Sequence, residues 1–183
     1  MNALRLIVTA SPHLKDRDST PRIMWNVVGS LVPVLVAAVW YFGISALLVV
    51  AASTLGAVLT ERLLGKPGSL RDGSAAITGL LLGLCLPAGI PMWMAALGGF
   101  FGIAFGKVVF GGLGQNVFNP ALLGRAFLQA AFPVAITTWP KIRQGAWVLR
   151  GDNFALPFMQ ASTDAVTAAT PLGLMKFEAK STP

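Results

Sequence analysis

Apolar residues run along this chain in five blocks, 23–42, 44–64, 75–86, 90–110 and 121–138, separated by short polar or glycine-containing breaks. The pattern predicts an all-α membrane protein of about five transmembrane helices. The first two blocks are long enough to cross a hydrocarbon core of about 30 Å. The first contains Asn26 and Pro33 and ends in Trp40-Tyr41, so a kink at the proline and interfacial anchoring at the far end are expected. The second carries Ser53, Thr54, Gly56 and Thr60, small residues that let helices approach closely. In the third, Asp72-Gly73-Ser74 reads as a helix start and Pro87 as its stop. A run this short spans only if it continues into its flanks or is a half-helix lined by other protein. The fourth begins at Pro91-Met92-Trp93 and holds a packing stripe of Gly98, Gly99, Gly102 and Gly106. Before the fifth lies a glycine-rich turn, with Asn119 placed to cap a helix and Pro120 at its first position. That turn matches no nucleotide-binding loop. Beyond capping, it has a second reading, in which Asn116 and Asn119 also line an ion or cofactor passage.

Composition supports the membrane reading. Hydrophobic residues make up 55% of the 183 and charged residues 11%, with a mean hydropathy of +0.69, far from the balance of soluble domains. The excess of 14 Lys and Arg over 7 Asp and Glu lies between apolar blocks, which marks cytoplasmic loops rather than a nucleic-acid footprint. With the N-terminus inside, the cytoplasmic side receives Arg5, Lys15, Arg17, Arg22, Arg62, Lys66, Arg71 and Lys107, while the turns near Gly43 and Ala88-Gly89 carry no charge. Residues 1–21 then form a cytoplasmic arm without the succession of a signal peptide. Residues 22–138 form the five-span membrane domain, and 139–183 a periplasmic segment, although that tail carries five basic residues of its own. The lone Cys85 excludes an intramolecular disulfide within the chain, and His13 alone makes no metal site.

Four ionisable groups lie in or beside the apolar blocks. Glu61 and Lys107 sit about a turn from block ends and are expected to snorkel to the interface, with a place on an ion pathway as the alternative. Asp72 is expected to cap a helix. Arg125 lies a turn inside the fifth block with no local partner, so it should face protein interior, a bound anion or a neighbouring protein of a complex, with simple interfacial packing as the alternative.

Near the chain's end stands Asp164-Ala165-Val166-Thr167-Ala168-Ala169-Thr170-Pro171-Leu172. Pro171 biases Thr170 towards an extended, presented conformation. No His or Cys is close in sequence to activate the hydroxyl, so Thr170 reads as an attachment point rather than a nucleophile.

The chain resembles the RnfD/NqrB family, and within it the RnfD membrane protein of the Rnf ion-translocating electron-transport complex, whose relative is the NqrB protein of the sodium-pumping NADH:quinone reductase. The resemblance rests on Ser11-Pro12-His13, on Asp72-Gly73-Ser74-Ala75 with Thr78-Gly79-Leu80-Leu81, on Phe110 to Asn116 with Phe118-Asn119-Pro120-Ala121, and on residues 164–172. It implies one half of an inverted-repeat fold followed by a periplasmic flavin-bearing segment, in the bacterial inner membrane. It also implies covalent FMN, esterified to Thr170 by a flavin transferase that reads Asp164, Thr167 and Ala169. Where the family has glycine between Thr167 and Ala169, this chain has Ala168. The resemblance further implies the other proteins of the membrane complex and membrane lipid as partners, and electron flow between ferredoxin and NAD coupled to sodium or proton movement. On it, a chain ending at Pro183 is expected to be a fragment or a truncated gene product. Trp139, Trp147, Phe154 and Phe158 are expected to pack on the bilayer interface or on the flavin ring. A transporter or channel half without cofactor, using the third block and the glycine turn as its site, is the alternative.

Overall fold

The structure, a computed structural model, describes residues 19–140, 147, 149 and 151–157, and among them every regular element is helical. Helix α1 (Thr20–Phe42) starts with proline in its first turn, where the missing N–H costs nothing, and continues through Pro33. It ends at Gly43, whose φ of 73° lets the chain reverse and start α2 (Ile44–Leu64) at the next residue. These two helices are long and apolar enough to cross a membrane. No residue of α1 is buried, whereas α2 buries Ser45, Val49, Val50, Ser53, Ala57, Thr60 and Glu61 and forms the spine of the bundle.

The third block is a half-helix. Helix α3 (Ser74–Cys85) has 12 residues and extends only about 18 Å, well short of a bilayer core. It follows a 3-10 turn at Ser69–Asp72 and starts where expected, with Asp72 Oδ1 accepting from the Ser74 backbone N–H at 2.8 Å. Helix α4 (Met92–Ile103) runs on into a π-helical turn, Ala104–Val108, a more compact element than the 90–110 block predicts.

The fifth block departs further from its expected single span. Helix α5 (Pro120–Ala131) stops at Phe132, and only the short α6 (Pro133–Thr137) follows. Pro133 has no N–H and pushes the preceding residue out of the helical region, so Phe132 sits at φ −136°, ψ 61°. Asn119 caps α5 as expected, its Oδ1 accepting from Ala121 N at 3.0 Å.

Glycines set the packing distances. A Cβ on Gly79 would lie 2.3 Å from Thr54 Cα, one on Gly99 2.3 Å from Ser53 O, and one on Gly56 2.3 Å from Ala96 O. These contacts seat α3 and α4 directly on the backbone of α2, and Ser53 Oγ donates across to Gly79 O at 2.9 Å. Gly98 and Gly124 make the equivalent contact between α4 and α5. The core between them is Val49, Leu82, Leu86, Ile90, Ala95 and Leu128, edged by Phe101 stacked on Phe127 at 4.0 Å between centroids.

Candidate functional site

Helix α3 carries a polar assembly at each end. At its N-terminus, Lys107 Nζ donates to Glu61 Oε1 and to Ser74 Oγ, and lies 3.2 Å from Asp72 Oδ2. Ser74 Oγ donates in turn to Asp72 Oδ1 at 2.7 Å. Glu61 is 1% exposed and Lys107 3%. The expectation that both snorkel to the interface is therefore corrected. The π turn moves Lys107 off the α-helical register, and Val109 N bonds back to Ala104 O instead. Gly106 beside it packs on Pro120, where a Cβ would be 2.8 Å from the proline Cα. The ammonium is thereby turned inward, towards the end of α2 and the start of α3.

One ammonium here faces two carboxyl groups, and among the described residues Glu61 Oε2 and Ser69 Oγ are buried with no hydrogen-bond partner. Beside this cluster lies a cavity of about 280 Å³, lined among others by Met24, Ser74, Thr78, Lys107, Asn116 and Asn119. The structure thus brings Asn116 and Asn119 to the same space as Lys107. Asn116 also accepts from Gly114 N at 3.2 Å, bracing the glycine turn.

At the other end of α3, Arg125 on α5 donates from Nη1 to the Cys85 carbonyl. The group without a local partner in sequence thus finds one on another half-helix, at the negative end of its dipole. The turn that follows, residues 86–91, is irregular backbone inside the bundle and is satisfied by a segment far along the chain. Asn153 Nδ2 donates to Ala88 O at 2.9 Å and Ile90 O at 3.0 Å. Asp152 N donates to Gly89 O at 3.1 Å, and Met92 N to Asn153 O at 2.9 Å. Asn153 is buried, and sequence reading missed it because one Asn in a polar tail carries no periodic signal. Trp139 packs beside Phe42 at 6.3 Å, while Trp147 and Phe154 are exposed. Asp164, Thr167, Ala169, Thr170 and Phe158 lie outside the described residues.

Half-helices meeting in an apolar bundle, with buried ionic groups where they start and a guanidinium where one ends, define a helical membrane protein built around discontinuous helices. The chain belongs to the NQR2, RnfD, RnfE family, which matches residues 7–182. It is 43% identical over 175 residues to the D subunit of the proton-translocating ferredoxin:NAD(+) oxidoreductase complex of Clostridium ljungdahlii, covering 93% of this chain and 48% of that one. It is 42% identical over 180 residues to the D subunit of the Na(+)-translocating ferredoxin:NAD(+) oxidoreductase complex of Acetobacterium woodii, covering 96% and 51%. It is 34% identical over 193 residues to the D subunit of the ion-translocating oxidoreductase complex of Aliivibrio salmonicida, covering 94% and 55%. The chain spans about half the length of these curated relatives.

Proposed function

We propose that this chain is the membrane subunit, or the first half of it, of an Rnf-type complex that couples electron transfer between ferredoxin and NAD to sodium or proton movement. Identities above 40% to two relatives named for that activity support the reading. The observation in the fold that carries it is the buried Glu61–Lys107–Asp72 cluster beside a cavity at the start of a half-helix. Ionisable groups are costly at membrane depth and are kept there for ion or proton traffic. Residues 22–138 form the membrane domain of about five apolar helical blocks, with the N-terminus in the cytoplasm, and within it α3 reaches only part of the way across. Residues 139–183 form the periplasmic segment with Thr170.

Thr170 carries FMN through a phosphoester made by a flavin transferase that recognises Asp164, Thr167 and Ala169; the threonine oxygen attacks the flavin-side phosphorus of a flavin dinucleotide donor, the pyrophosphate bond breaks, and the nucleoside monophosphate leaves. FMN supplies the electron-carrying chemistry, and the chain supplies attachment and electrostatics. On coexpression with a flavin transferase, a denaturing gel under ultraviolet light should show a fluorescent band for the wild-type chain. The band should vanish in Thr170→Ala and persist, weakened, in Thr167→Ala, because only the terminal hydroxyl forms the bond. A band surviving in Thr170→Ala would sink the attachment site. A cofactor-free transporter half shows no band in any of the three.

A further inference from the structure

We propose that residues 151–155 are a strap that closes the turn between α3 and α4 against water and small cations, with Asn153 as its latch, so that release of the strap opens the end of α3 remote from the Lys107 cluster. Five of the six residues of that turn, Leu86, Pro87, Ala88, Ile90 and Pro91, are buried. Irregular backbone in an apolar bundle must find partners for its polar groups. Two of the turn's amides bond locally, Leu86 N to Gly83 O and Ile90 N to Pro87 O. The three consecutive carbonyls of Ala88, Gly89 and Ile90 all accept from two consecutive residues of the strap. Asn153 Nδ2 donates to the first and the third, and Asp152 N to the second. Met92 N, at the start of α4, donates back to Asn153 O.

Hydrogen bonds rather than apolar burial hold the strap in place. Of residues 151–157 Asn153 alone is buried, and Phe154 and Leu156 are 62% and 65% exposed. Gly151, at φ 67°, lies directly on the turn, where a Cβ would be 2.6 Å from Gly89 O. Bonds to backbone carbonyls are exchanged for bonds to water at a small net cost. A segment with few buried apolar contacts opens separately from the core beneath it. That core is closed by different means, with Leu82 of α3 and Ala95 of α4 fully buried among apolar neighbours.

Opening the strap bares the carbonyls at the C-terminal, negative end of a half-helix, the end to which the Arg125 guanidinium is already drawn. Unwound carbonyls at breaks between half-helices are the groups that coordinate small cations in discontinuous-helix proteins. With the strap in place, the Asn153 amide nitrogen stands between two of those carbonyls and excludes a cation; with the strap out, they face water. The identity of one side chain therefore decides whether this end of the bundle is open.

The native Cys85 reports the opening, because it is the one cysteine of the chain and the last residue of α3, just before the turn. The test is the rate at which a small, positively charged methanethiosulfonate modifies Cys85 in the full chain in micelles, for wild type, Asn153→Asp and Leu156→Ala. Aspartate has the size of asparagine, but its carboxylate offers no N–H to the two carbonyls. It should speed the modification by about tenfold or more, as expected for two lost hydrogen bonds. Leu156→Ala, at an exposed position of the same segment, should keep the wild-type rate. Hydrogen–deuterium exchange of the wild-type chain gives a second readout that holds even if the aspartate variant does not fold. The Met92 and Asp152 amides should exchange at one shared rate, faster than those of Leu82 and Ala95. An unchanged Cys85 rate in Asn153→Asp, an equal acceleration in Leu156→Ala, or Met92 and Asp152 amides as slow as that of Leu82 would overturn the proposal.

Discussion

Lys107 meets three polar side chains from two other parts of the fold, Glu61 at the end of α2 and Asp72 and Ser74 at the start of α3. Removing one member of a buried ion pair leaves its partner uncompensated, at a cost of about 3–5 kcal/mol, whereas removing both is often close to neutral. Lys107→Met should therefore destabilise the chain by about that amount, and Lys107→Met with Glu61→Gln should recover much of it, as read by denaturant unfolding in micelles. Equal stability of the single variant and wild type would show that the cluster contributes nothing to the fold. Part of this site was legible in the sequence. Glu61 and Lys107 each stand about a turn from the end of an apolar block, so each was legible as a charge beside apolar surface. Snorkelling looked adequate for each because the inward turn of Lys107 depends on the π segment, which no spacing of apolar residues announces. Arg125 was legible as a charge in need of a partner. Its partner is a backbone carbonyl 40 positions earlier, and backbone groups leave no mark on a sequence.

Among the elements, α3 was readable at both ends, because Asp72-Gly73-Ser74 and Pro87 act through local backbone chemistry. The break in the fifth block was written in Pro133 but masked by the apolar run around it. Hydrophobicity reports only that a segment prefers lipid or core, and does not say whether its hydrogen-bond ladder is continuous. The glycines of α4 were legible as a packing stripe, and their measured contacts make the element testable. Gly99→Ala puts a methyl against the Ser53 carbonyl, where backbone blocks relief, and should cost about 1–3 kcal/mol. Gly29→Ala on α1, with no atom within 4 Å of the new Cβ, should be neutral or stabilising by up to about 1 kcal/mol through helix propensity. Thermal unfolding of the two variants in one detergent checks both. Equal midpoints would mean that α4 does not sit on α2 as closely as the contacts require.

For the molecule as a whole, α1 stands with no residue buried, and its exposed Trp25, Val32, Val34, Val36 and Trp40 form the kind of surface that lipid or neighbouring protein covers. The buried contacts are made by α2 with the discontinuous helices, which hold an ionic cluster at one level and Arg125 at another. Between them, Leu82, Ile103 and Leu128 are fully enclosed. The central claim is that this chain is a flavin-bearing electron carrier, and intact-protein mass spectrometry after coexpression with a flavin transferase tests it most directly. The account predicts the mass of the chain plus one esterified FMN, localised by fragmentation to Thr170, and the unmodified mass for Thr170→Ala. An unmodified wild-type chain, obtained with a transferase shown to be active on another substrate, would contradict it.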